Sequence, residues 1–131
     1  MRDHSFGSIT MQVGAEPTES DIMVANIFAK LGHDVDFIAA NKGYMVRTPD
    51  IHMDRIDWEI KCIESDKIDK VRRNISTALG QSGNIIIGTF RTSILDEKII
   101  RYVQRHVLPK KKGIKRLKIV TKTHEVIDIK S

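Results

Sequence analysis

Three side chains in the stretch RTPDIHMDRIDWEIKC, residues 47 to 62, are of types that act together on phosphate esters: Asp50, Glu59 and Lys61. The alternation of Ile56, Trp58, Ile60 and Cys62 against Asp57, Glu59 and Lys61 reads as an extended strand, in which residues two apart point the same way. Glu59 and Lys61 then project side by side. Asp50 lies on a preceding strand and reaches the same edge if the hairpin pairs in register across its Asp54-Arg55 turn. Carboxylate oxygens suit a hard divalent ion that keeps several waters, magnesium first and manganese or zinc after it. Such an ion activates water and neutralises charge on a phosphoryl group, and the ammonium orients the nucleophile or steadies the phosphate. The competing reading is a charged strand face turned to solvent. His52, between Asp50 and Asp54, is either a helper to this chemistry or a surface residue; His33, His106 and His124 lack ligand-like spacing.

The elements that must position these groups follow from periodicity and punctuation. A first helix spans about 17 to 31, with cap candidates Thr18 and Ser20 and a stop at Gly32. HDVDF is a strand with Asp34 and Asp36 on its wet side, NKGY a turn, and MVRTPDIHM a second strand that Pro49 restricts to an edge, bulge or kink. After the strand IDWEIKCI, Ile68, Val71, Ile75 and Leu79 at helical spacing predict a second helix, ended by Gly80 or Gly83. NIIIGTF is a strand buried on both faces, SILDEKIIRYVQRHVL a helix stopped by Pro109, and IKRLKIVTKTHEVIDIK a closing hairpin. The order is α-β-β-β-α-β-α-β-β, an α/β (α+β mixed) domain whose mixed central sheet is flanked by helices. Residues 1–14 are expected to be a flexible tail or linker, and 15–131 a single domain.

Charge points to a partner. The chain carries 22 lysines and arginines against 17 acids, a net charge of +5. From 110 to 122 there are seven basic residues and no acidic one: Lys110, Lys111, Lys112, Lys115, Arg116, Lys118 and Lys122. Either this run attracts a polyanion, nucleic acid first, or its lysines guard an edge strand against pairing. With Lys70, Arg72 and Arg73 it is a candidate phosphate-backbone track. Gln81 and Ser82, between the second helix and the buried strand, either contact substrate or form an ordinary loop. Few aromatics and their placement favour recognition of nucleic-acid shape over a stacking platform. A single cysteine, Cys62, excludes an intramolecular disulfide and is expected in the core. No apolar run approaches the ~18 residues of a membrane span, and the N-terminus lacks the pattern of a signal peptide.

The pattern Asp-x8-Glu-x-Lys after a proline, here Pro49-Asp50 and Glu59-Ile60-Lys61, resembles the PD-(D/E)xK, or restriction-endonuclease-like, nucleases. That resemblance implies their core fold, a metal held by Asp50 and Glu59, Lys61 at the attacking water, and Glu19 of the first helix completing the acidic set. A narrower resemblance runs from Glu16 to Phe90 through GHDVDF, RTPDI, WEIK and IDKVRRNISTALGQSGNIII. These are similar to the C-terminal toxin domains of CdiA contact-dependent growth inhibition proteins that resemble tRNA-cleaving nucleases; Asn74, Ile75, Ala78, Leu79, Gln81, Ser82 and Asn84 carry the match. Cys62 departs from an expected serine and Gly88 from an expected acid. The resemblance implies a tRNA-cleaving toxin, secreted as the C-terminal part of a larger protein, acting in the target-cell cytoplasm and neutralised by a cognate immunity protein. A DNA-cleaving member, whether DNase toxin or junction resolvase, and a non-catalytic nucleic-acid-binding domain remain the alternatives.

Overall fold

The computed structural model describes residues 5–40 and 48–131. The chain divides into two compact units, up to Trp58 and from Glu59 onward. Among the described residues seven strands and three α-helices make a mixed α/β fold, with strand β4 (Ile56–Cys62) giving its first three residues to one unit and its last four to the other.

The first unit contains β1 (Ile9–Met11), α1 (Glu19–Lys30), β2 (Val35–Phe37), β3 (Ile51–Met53) and the start of β4. Thr18 and Asp21 form a reciprocal capping box, which satisfies the first free amides of α1 and sets its start two residues later than the pattern suggested. Gly32 ends it with φ +98°. Val24, Ala25 and Phe28 of the helix and Val35, Phe37, Ile51, Met53 and Trp58 of the strands are the buried apolar residues of this unit. β2 pairs antiparallel with β3, and β3 with β4, around a turn in which Asp54 and Arg55 both take positive φ, 55° and 65°. Two left-handed residues give a turn whose twist suits the flanking strands.

One strand lies in the stretch expected to be a tail. β1 runs parallel to β2, with Ile9 opposite Val35 and Met11 opposite Phe37. Its anchors are polar: Ser8 donates to Asp34 from its backbone (2.8 Å) and hydroxyl (3.0 Å), and Thr10 (2.7 Å) and Gln12 (3.0 Å) donate to Asp36. Asp34 and Asp36, expected to face water, are thus the pins that hold β1. The backbone and hydroxyl of Ser8 hold the Asp34 carboxyl below the usual carboxylate value, and Thr10 and then Gln12 do the same for Asp36. Of the expected strand MVRTPDIHM, Ile51–Met53 is strand; residues 45–47 and the NKGY turn lie outside the described residues.

The second unit continues with α2 (Asp69–Ala78), β5 (Asn84–Gly88), α3 (Asp96–Tyr102), a π-helical turn (Val103–Val107), β6 (Arg116–Val120) and β7 (Val126–Lys130). The end of β4, β5 and β6 run parallel, and β7 closes antiparallel on β6. Ile85 and Ile87 of β5 and Leu117 and Ile119 of β6 share one face, and they join Val71 and Ile75 of α2 and Ile99 and Val103 of the last helix in one core. NIIIG is buried as its unbroken apolar run requires. The last helix is not uniform: the Leu108 amide bonds the Val103 carbonyl five residues back, at 2.9 Å. No helix among the described residues is long and apolar enough to cross a membrane.

Candidate active site

Register decides the environment of Glu59. It pairs with Ile85, and Lys61 with Ile87, in a parallel ladder, so each projects to the same face as its partner. That face is the one covered by the helices, and Glu59 is only 4% exposed, as buried as its neighbours Trp58 and Ile60. Its carboxylate stands 3.6 Å from Lys61 Nζ, whose side chain keeps 27% exposure. The competing reading of a charged strand face turned to solvent therefore holds only at Asp57, which is exposed. A carboxylate buried this far costs several kcal/mol unless charge or hydrogen bonds offset it.

Asp50 and Glu19 belong to the first unit. Asp50 is half-buried beside the start of β3; its amide donates to the Trp58 carbonyl (3.0 Å) and its carbonyl accepts from Ile38 (3.0 Å). The backbone of Asp50 is thus tied to the residue that precedes Glu59 in the chain. Glu19 is the exposed first residue of α1. Among the described residues no group of three or more His, Cys, Asp or Glu side chains is assembled for a metal.

The histidines have other company. His52 Nδ1 lies 2.7 Å from Asp57, its register partner, and His33 Nδ1 3.0 Å from Asp54. Neither pairing was legible as a spacing, because each joins residues across a hairpin or a helix end.

Gln81 and Ser82 follow α2 and precede β5, whose second residue pairs with Glu59. Their amides bond the Ala78 carbonyl, Ser82 Oγ accepts from the Asn84 amide (2.9 Å), and Gln81 Oε1 is buried with no hydrogen-bond partner among the described residues. Asn84 in turn accepts from Arg116 (3.1 Å). The basic run divides in two. Arg116 is held by Asn84, Lys118 by Asp128 (2.5 Å), and Lys122 by Asp96 (3.4 Å) and the Ile94 carbonyl, whereas Lys110, Lys111, Lys112 and Lys115 form no ion pair with a described residue. Of the α2 basics, Lys70 and Arg72 are half-buried, and Arg73 is exposed and 3.7 Å from Asp69.

The family model for the contact-dependent growth inhibition CdiA C-terminal domain matches residues 47–126, from just before Asp50 to the first residue of β7. The chain belongs to this family. A solved CdiA-CT/CdiI toxin and immunity complex from Burkholderia pseudomallei contains a chain of the same fold, with a TM-score of 0.71 and 19% identity over 95% of this chain and 100% of that one. No curated protein matches. Within this CdiA C-terminal domain the two departures from the expected pattern are register partners: Cys62 pairs with Gly88, and a Cβ at 88 would sit 3.0 Å from Cys62 Sγ and 2.9 Å from the Phe90 ring. Cys62 is half-buried at this contact and not in the core proper.

Proposed function

We propose that this CdiA C-terminal domain is a metal-dependent nuclease toxin that hydrolyses phosphodiester bonds, with tRNA as its substrate. The observation that carries the reading is the buried Glu59 carboxylate beside the Lys61 ammonium, on a strand whose neighbours are core residues. A solvated charge face, as a purely nucleic-acid-binding domain would have, does not bury one of its acids.

Asp50 and Glu59 are the residues that would hold the ion, magnesium in the first place and manganese or zinc otherwise. When bound, it supplies positive charge against the scissile phosphate and favours ionisation of the attacking water. Lys61 holds the water or a phosphate oxygen through its N–H donors, and burial of Glu59 strengthens the field both act in. Glu19 completes the acidic set, Gln81 and Ser82 contact substrate phosphate or a water, and Lys70, Arg72, Arg73, Lys110, Lys111 and Lys112 meet the phosphate backbone. By likeness to the B. pseudomallei complex, a cognate immunity protein binds and blocks the domain. Its setting is the C-terminal part of a larger secreted toxin, acting in the cytoplasm of the target cell.

The test is incubation of the purified chain with tRNA and with plasmid, in magnesium and in EDTA, beside Asp50→Ala and Lys61→Ala. Cleavage of tRNA that EDTA and both substitutions abolish is expected. Cleavage of plasmid alone would move the substrate to DNA, and metal-independent binding without cleavage would replace the enzyme with a binding domain.

A further inference from the structure

The outer face of the last helix carries a feature that the Glu59 site does not use. Lys98 and Arg101 on α3 and Arg105 on the π-helical turn follow one another at spacings of three and four, as do Tyr102 and His106 at four. With Ile68, just before α2, these side chains line a pocket of about 190 Å³. The wider π-helical turn keeps residues four apart close to one line along the axis, while Val103 and Val107 remain fully buried beneath it. The turn thus serves both faces at once.

Lys98, Arg101, Arg105 and His106 are exposed, and none of the first three forms an ion pair with a described residue. Like charges three and four apart on a helix repel and destabilise it. The acids of this helix stand in its first turn: Asp96 is drawn to Thr89 and Lys122, and Glu97, four residues before Arg101, forms no ion pair with a described residue. Tyr102, His106 and Ile68 line the pocket together with these cations. Tyr102 is half-buried, its ring centroid 5.5 Å from that of His106 at a tilt of 45°, and Ile68 stands beside it. Cations alone would suit any acidic partner, but an aromatic pair framed by guanidinium groups suits a planar base with a phosphate on either side.

We propose that this pocket is a nucleic-acid subsite, taking an unpaired base against Tyr102 and His106 and its flanking phosphates on Lys98, Arg101 and Arg105. It rests on the reading that the substrate is a nucleic acid, and it assigns an unpaired segment of that substrate to this helix face.

The test is fluorescence anisotropy of a short 5′-labelled oligouridine, and of labelled tRNA, titrated with the full chain in EDTA so that cleavage plays no part. Arg101→Gln with Arg105→Gln should weaken binding and lower the slope of log affinity against log salt by about 1.4, from about 0.7 per phosphate on single strands. Tyr102→Leu should weaken binding about 5- to 150-fold, and Tyr102→Phe much less. Circular dichroism checks that each variant is folded, and Arg101→Lys with Arg105→Lys, which keeps the charge, should restore the salt slope. Wild-type affinity and slope in the folded double variant would overturn the proposal. So would a wild-type chain that binds neither probe, or variants that lose only an acidic protein partner. A wild-type chain that shows these binding effects but cleaves neither tRNA nor plasmid in magnesium would count against the nuclease reading and leave the subsite standing.

Discussion

Replacing Glu59 by glutamine separates a functional carboxylate from a structural one. At 3.6 Å the Glu59 and Lys61 charges attract by about 1 kcal/mol with the screening of bulk water and by about 5 kcal/mol at an effective dielectric near 20. Glu59 is 4% exposed and Lys61 27%, so the less screened end is the better guide. Desolvating the carboxylate opposes this attraction by several kcal/mol. The two nearly cancel, and glutamine has the same shape with neither. Glu59→Gln should therefore change stability by no more than about 1 kcal/mol in either direction, while cleavage falls at least about a hundredfold. Urea unfolding can be followed through the single tryptophan, Trp58, which is buried and donates from its ring to the Met53 carbonyl at 3.1 Å; far-UV circular dichroism gives a second probe. Lys61→Met, which removes the ammonium beside the buried carboxylate, should instead cost about 1 to 3 kcal/mol. A Glu59→Gln protein that loses 3 kcal/mol or more and still cuts would make Glu59 a structural ion-pair partner and remove it from the mechanism.

Three further outcomes are expected. A Cβ at Gly7 would lie 1.8 Å from the His33 carbonyl oxygen, so Gly7→Ala should detach the segment carrying β1, cost about 2 kcal/mol or more and expose the first dozen residues to protease; unchanged proteolysis would contradict the placement of β1. Because bonds from Thr10 and Gln12 lower the Asp36 carboxyl below 3.8, its contribution is present above that pH and lost as pH falls through the depressed folded value. Asp36→Asn should accordingly differ most from wild type near neutrality, and the difference should begin to close only as pH falls below about 4, which acid-unfolding curves will read. In the β3–β4 turn Arg55 has φ 65°; glycine there should raise stability by about 0.5 to 1 kcal/mol, measured by the same urea titration.

Long, strongly punctuated elements were legible in the sequence because a single local cause specifies each of them. The Thr18 cap and Gly32 stop bound α1, and the unbroken NIIIG run marks a strand buried on both sides. The strand β1 was not legible, because an alternation of only three residues, Ile9, Thr10 and Met11, is too short to specify a strand; side-chain bonds to Asp34 and Asp36, 24 to 26 residues away, hold it in place. The site divided in the same manner. Glu59 and Lys61 could be placed side by side from a period of two, but the burial of Glu59 depends on which face the helices cover, and that is set by pairing with Ile85. The π-helical turn left no trace in the apolar spacing, since Val103 and Val107 are buried in either helix type.

Cys62 and Gly88 illustrate how two departures read separately in the sequence become one in space. An acidic side chain at 88 would have to pass the Phe90 ring and the Cys62 sulfur, both already within about 3 Å of where its Cβ would start. A glycine at 88 leaves room for the bulkier, more polarisable sulfur at 62 and for the ring that closes over it. The pairing is cross-strand, one residue beyond the Lys61–Ile87 pair. Any acid expected at 88 would have projected from the face opposite Lys61, since successive residues of a strand alternate. Its replacement by glycine therefore leaves the face shared by Glu59 and Lys61 intact, and the chemistry proposed for that face does not depend on it.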